Sequence, residues 1–162
     1  MHIVNKPKAF YLLLIINLYS GLAFAQNMQI PEIGAFLPSV TKVKPGEVTA
    51  VDGLWSISSL DKLVRIDRGR IYAIEGWNHL FILKIKPGMV IIKSFKEIEP
   101  GVYDGEDLPL QGPLVAQLTG DRILDVVVQG ALGEVNYQLI PSQLDDPAAF
   151  NTLIKMLREQ GL

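Results

Sequence analysis

The chain reads as an all-β, mainly antiparallel protein: a small β-barrel or strongly bent sheet of about eight or nine strands with one C-terminal α-helix packed on it. Three observations point there. Short β-rich runs recur from Lys42 onward, turn residues separate them, and only the final stretch carries a helical period. Each element can be justified in chain order.

Residues 1–25 read as a signal peptide. Lys6 and Lys8 give a positive start, residues 9–18 are mostly apolar, and Ala23-Phe24-Ala25 fits a small-x-small cleavage site. Asn17, Tyr19 and Ser20 interrupt the apolar run, which falls short of the roughly 20 apolar residues a membrane span needs. Cleavage after Ala25 leaves an exported chain, periplasmic or secreted, with no membrane span after processing. The sequence has no cysteine, so the fold is expected to rest on its packed interior rather than on disulfides. The formal charge of −2 becomes −4 once Lys6 and Lys8 are removed, which gives no global field for nucleic acid or anionic lipid.

Residues 26–47 form an irregular lead-in, because Pro31, Gly34 and Pro38 punctuate scattered apolar residues without a period. The β-domain is expected over 48–141, with strands at 48–51, 53–58, 62–67, 70–75, 80–85, 89–98, 114–118, 122–129 and 134–140. Arg68-Gly69, Pro87-Gly88, Pro100-Gly101, Gly112-Pro113, Gly120-Asp121 and residues 130–133 supply the reversals. The similar segments KVKPGEV and KIKPGMV diverge after the turn, so they share turn chemistry rather than a repeat. A helix is expected over 146–161. Asp146 caps it, Pro147 opens it, and Phe150, Leu153, Ile154 and Leu157 form one apolar stripe for docking on the β-domain.

The segment VRIDRGRIYAI concentrates Arg65, Arg68 and Arg70. With Arg68-Gly69 as a two-residue loop, Asp67 faces Arg70, Ile66 faces Ile71, Arg65 faces Tyr72 and Val64 faces Ala73. Val64, Ile66, Ile71 and Ala73 then make a core face, and the opposite face is mixed. One reading is a solvated hairpin with an Asp67–Arg70 pair and Arg65 lying along Tyr72. The other is an anion site built from Arg65 and Arg70, joined by Lys62, because guanidinium groups bind carboxylates bidentately.

Other chemistry is sparsely supplied, and no residue is assigned a catalytic or metal-binding role. His79 is the one histidine left after cleavage and lies in a presumed turn after Trp77. Without thiols, and with so few imidazoles, zinc and cysteine–histidine chemistry lack ligands. Tyr103-Asp104-Gly105-Glu106-Asp107 reads as an acidic turn, able to take calcium or to supply paired carboxylates, but equally a solvated reversal. Trp55, Tyr72, Trp77 and Phe81 are core aromatics or rings lining a pocket. The candidate ligand-binding residues are therefore Arg65, Arg70, Tyr72 and Trp77, and no cofactor is implied.

Gly53-Leu54-Trp55 matches the Gly-x-Trp motif that opens the first barrel strand of the lipocalins and their calycin relatives. With the meander and final helix, residues 52–162 resemble that family. The resemblance implies that Trp55 packs structurally at the closed end of a barrel holding small apolar ligands.

The leading functional expectation is an exported, non-enzymatic binding protein for a small apolar, amphipathic or anionic ligand. A second is a cell-envelope interaction or structural module that docks an envelope protein through the lead-in or helix. A third is a carboxylate-based hydrolase using Asp104, Glu106 or Asp107.

Overall fold

Eight antiparallel strands close into a barrel in the computed structural model, which describes residues 33–34, 36–79, 83–131 and 133–161. The leader assigned to residues 1–25 and the first part of the lead-in lie outside the described residues. Ile33–Gly34 is β1. The barrel strands are β2 (Gly53–Ile57), β3 (Lys62–Asp67), β4 (Arg70–Ala73), β7 (Val90–Glu99), β8 (Val102–Asp107), β9 (Gly112–Leu118), β10 (Leu124–Gly130) and β11 (Gly133–Leu144). They follow one another round the barrel in chain order, and β11 pairs with β2 to close it. Between β4 and β7 the chain leaves the barrel for a hairpin, β5 (Trp77–His79) and β6 (Leu83–Ile85), onto which β1 pairs in parallel.

Alternation of side chains builds the core. Along β9, Gly112, Leu114, Ala116 and Leu118 are buried while the residues between them are exposed. Pairing then stacks like with like: Leu124 opposes both Leu118 and Leu139, and Val128 opposes Leu114. An eight-stranded barrel is just wide enough for side chains to fill. Trp55, Phe95 and Tyr103 are its largest buried side chains, the last two stacked with centroids 5.0 Å apart.

The β3–β4 hairpin has the expected register, with Asp67 opposite Arg70 and Arg65 opposite Tyr72. Arg68 and Gly69 both take positive φ, 45° and 76°, the type I′ geometry that matches strand twist. Val64, Ile66, Ile71 and Ala73 are all fully buried.

Register shifts mark three places in the wall, one of them where β4 meets β7 between Ile71 and Tyr72. Strand β7 slips register between Lys93 and Lys96 and again between Glu97 and Glu99, and Ser94 sits at φ 56°. Strand β11 slips at Pro141–Gln143, where it crosses β2. Such bulges bend a strand and sharpen its twist, as closure requires. At the β11 bulge, a Cβ on Gly53 would lie 2.4 Å from the Gln143 carbonyl oxygen, so glycine is sterically required.

Helix α1 (Pro147–Glu159) closes one end. The Asp146 carboxylate accepts hydrogen bonds from the N–H groups of Ala148 and Ala149 at 3.0 and 2.9 Å. Phe150, Ile154 and Leu157 are buried, and Phe150 meets Trp55 edge-on at 6.0 Å. Two arginines tie the helix to the β9–β10 turn. Arg122 lies 5.0 Å over the Phe150 ring and donates to Asn151, and Arg158 donates to the Gly120 carbonyl. The turns at Arg68-Gly69 and Gly101 share this end with the helix. The opposite mouth carries residues 58–61, 108–111, 130–131 and 133, at the β2–β3, β8–β9 and β10–β11 reversals.

Three local expectations are corrected. Residues 48–51 form no strand; they bend into a turn closed by Asp52 N–H on the Thr49 carbonyl. The acidic segment is not a turn but strand β8, because its backbone pairs on both sides, with β7 and β9. Trp77 and His79 stand on a short strand rather than in a loop, paired with Ile85 and Leu83. Residues 80–82 of the expected 80–85 strand lie outside the described residues.

Candidate functional site

The guanidinium groups of the hairpin are held by the chain itself. Arg70 is 7% exposed on the outer face, under the lead-in. It donates to the carbonyls of Val40 at 3.1 Å and Val43 at 2.8 Å and pairs with the Asp67 carboxylate. Arg68 pairs with the other Asp67 oxygen at 3.1 Å, and its N–H donates to Asp52. These cations hold the Asp67 carboxyl below its ordinary value, outweighing burial, which acts the other way. Arg65 reaches Asp145, 2.6 Å away beside the helix cap. Arg65, Arg70 and Tyr72 thus lie together on the outside of the wall, and their donors pin the lead-in and the helix approach. Lys62 stands apart, opposite Ile57 at the helix-free mouth.

Strand β8 divides its carboxylates between two faces. Asp104 and Glu106 point outward, toward Lys96 at 3.7 Å and Lys93 at 3.1 Å. Tyr103 and Asp107 point inward and are buried. The three carboxylates therefore do not meet in one cleft.

Asp107 stands inside the barrel, 4% exposed, at the helix-free mouth. Its Oδ1 accepts the Leu110 N–H at 2.7 Å, fixing the β8–β9 turn. Its Oδ2 accepts the Tyr137 hydroxyl from β11 at a long 3.4 Å. Burial pushes the Asp107 carboxyl up to about 6, against the two hydrogen bonds that pull it down. Burial, with the Asp107 charge adding to it, also drives the Tyr137 phenol well above its ordinary range. Tyr137 therefore stays a neutral donor at any physiological pH.

Near this pair lies a mostly apolar hollow of about 340 Å³, walled by Pro109, Leu110, Gln111, Ala131 and Val135 with Gly130 and Gly133. Leu110 is the residue whose N–H Asp107 holds, and Val135 stands two places before Tyr137 on the same face of β11. Neither Asp107 nor Tyr137 lines the hollow itself; Leu110 joins the two, its N–H on Asp107 and its side chain in the wall.

The β5–β6 hairpin, inserted in the chain between β4 and β7, belongs to its own three-stranded sheet with β1. Trp77 and His79 share one face of β5. The indole Nε1 of Trp77 and the Nε2 of His79 are both buried without a hydrogen-bond partner. Burial alone lowers the His79 pKa, so its imidazole is neutral at pH 7. Buried polar atoms are nearly always paired, with protein groups or with ordered water.

Sequence reasoning missed Asp107 and Tyr137 as a pair. No spacing signals a contact between positions 30 apart on strands separated by two others. The usable signal was the alternation Tyr103, Gly105, Asp107 against a paired strand, which turns the last acid inward.

Among the described residues, no group of three or more His, Asp or Glu side chains is placed to hold a metal ion, and no helix is long and apolar enough to cross a membrane. Compared with protein-family models, with curated proteins and with solved structures, the chain shows no match.

Proposed function

We propose that this is an exported, non-enzymatic binding protein that takes a small amphipathic ligand at the helix-free mouth of its barrel. The observation that carries this reading is the make-up of the helix-free mouth, where an apolar hollow lies near the buried Asp107–Tyr137 pair. The larger hollow of about 790 Å³ between residues 43–49 and 93–97 is lined instead by charged side chains, among them Lys44, Glu47, Lys93, Lys96 and Glu97. Ligand sites are typically apolar concavities with a few convergent polar groups. The closed antiparallel barrel with one C-terminal helix, and Trp55 buried at the closed end, fit a lipocalin-like carrier. The site differs from a deep cup, because side chains occupy the middle of the barrel and the hollow lies at the rim. Export remains part of the proposal and rests on the residue 1–25 pattern.

The test is to purify the protein from its own compartment, extract it with organic solvent and identify extracted molecules by mass spectrometry. A reproducible small amphipathic molecule at near-stoichiometric yield is expected. Empty extracts from protein that also fails to take up such molecules would overturn the reading. N-terminal sequencing of the same sample should begin at Gln26.

A second reading, an envelope docking module, has its own support in the lead-in, where Phe36 is 96% and Val48 73% exposed. Crosslinking in the native compartment separates the two, since one recurrent protein partner attached through residues 36–48 would favour docking.

A further inference from the structure

We propose that the ligand of the helix-free mouth is a protonated amine with an apolar tail, its ammonium on Asp107 and its tail against Leu110, Ala131 and Val135. The inference rests on the reading of the mouth as a binding site and names the ligand's chemical class.

Consider what Asp107 lacks. An ionised carboxylate offers about four acceptor positions. Here one neutral N–H occupies Oδ1 at 2.7 Å, and one neutral hydroxyl approaches Oδ2 at a distance that marks a weak bond. Among the described residues, no lysine, arginine or histidine forms an ion pair with it. The other inward-facing acid-binding group available at this rim, Lys62, makes no such pair either. A carboxylate this buried is normally paired with a cation, because the interior replaces water poorly. Of the outward acids of the same strand, Glu106 has Lys93 at 3.1 Å and Asp104 has Lys96 at 3.7 Å, while Asp104 Oδ1 is buried without a hydrogen-bond partner.

The missing partner must bring positive charge and donors into a small space beside apolar walls. A compact ammonium brings three donors and one charge. A neutral alcohol offers a single donor, and a carboxylate or phosphate head would face like-charge repulsion from Asp107. The walls of the hollow are almost wholly apolar side chains and glycine, which suits a hydrocarbon tail and not a second polar head. Tyr137 opposes no positive charge, because it stays neutral, and its oxygen can accept from the same ammonium.

The test uses three probes of equal chain length, octylamine, octan-1-ol and octanoate, titrated calorimetrically into the full processed chain at pH 7.5. Octylamine should bind at least about tenfold more tightly than octan-1-ol, with octanoate weakest. Asp107→Asn keeps an acceptor for Leu110 and removes only the charge, so the amine preference should vanish while octan-1-ol binding is retained. Equal affinity for amine and alcohol in the wild type overturns the amine class and leaves the mouth reading standing. So does a preference that persists in D107N. Failure of all three probes to bind overturns both.

Should D107N not fold, the wild type carries the test between pH 5 and 8. The amine probe stays cationic and Tyr137 neutral throughout, and Lys62 is another charged side chain at this mouth. The advantage of amine over alcohol should therefore disappear as Asp107 is protonated below about pH 6. An advantage unchanged at pH 5 contradicts the proposal.

Discussion

Two charged residues on the same hairpin differ in what their loss should cost. Arg70 is buried and supplies the only hydrogen bonds described for the carbonyls of Val40 and Val43 from a side chain, in addition to its pair with Asp67. Arg70→Ala should cost about 2–4 kcal/mol, at the low end for a broken buried pair because Asp67 keeps some solvent contact. Arg65, paired with the half-exposed Asp145, should cost less than about 1 kcal/mol on the same substitution. Urea denaturation of the two variants checks the ranking. Asp107 behaves differently again. Its folded pKa of about 6 lies above the ordinary carboxyl value of 3.8, so the folded state holds the proton more tightly than the unfolded chain. Stability from this group is therefore greatest below about pH 4, falls as pH rises toward 6, and stays reduced above it. Asp107→Asn should raise stability at pH 7.5 by about 1–3 kcal/mol and match the wild type near pH 3.5. A variant less stable at pH 7.5 would show that the ionised group is a net structural asset.

At the scale of elements, the helix depends on close approach as much as on its stripe. Gly101 sits at φ 74° in the β7–β8 turn, and a Cβ there would lie 2.8 Å from Leu157 Cδ1. Leu157→Ala should cost about 2–5 kcal/mol through the cavity it leaves. Gly101→Ala should also destabilise, through both strain and overlap. Thermal unfolding followed by Trp55 fluorescence reads both, because the indole lies against the helix. This helix was legible because cap, opening proline and apolar stripe are all local signals. The β3–β4 hairpin was legible for the same reason, since a two-residue turn fixes the register of everything around it. Strand β8 was hidden. Asp104, Gly105 and Glu106 look like loop residues, yet lysines on β7 neutralise the outward acids and glycine makes room beside Ile92 and Phe95. The expected strand at 48–51 failed in the opposite way. Its β-branched residues favour extension, but Asp52 folds the segment back by accepting from Thr49 and from the Arg68 N–H.

For the whole molecule, closure explains why the core could be anticipated and the mouth could not. Alternation along paired strands fills the middle whatever the details of each turn, so inward apolar positions follow from pattern. The mouth is assembled from β8, β11 and three turns that meet only when β11 returns to β2. Its chemistry is a product of topology. The resulting molecule packs a helix against one end and has, at the other, an apolar hollow near a buried carboxylate with no ion-pair partner among the described residues. The most direct measurement of the central claim is an amide chemical-shift map of isotope-labelled protein titrated with octylamine. Shifts should concentrate at residues 107–111 and 130–137 and spare the helix and the arginine hairpin. Saturating shifts centred instead on residues 65–70 or 150–157, with the mouth unmoved, would contradict it.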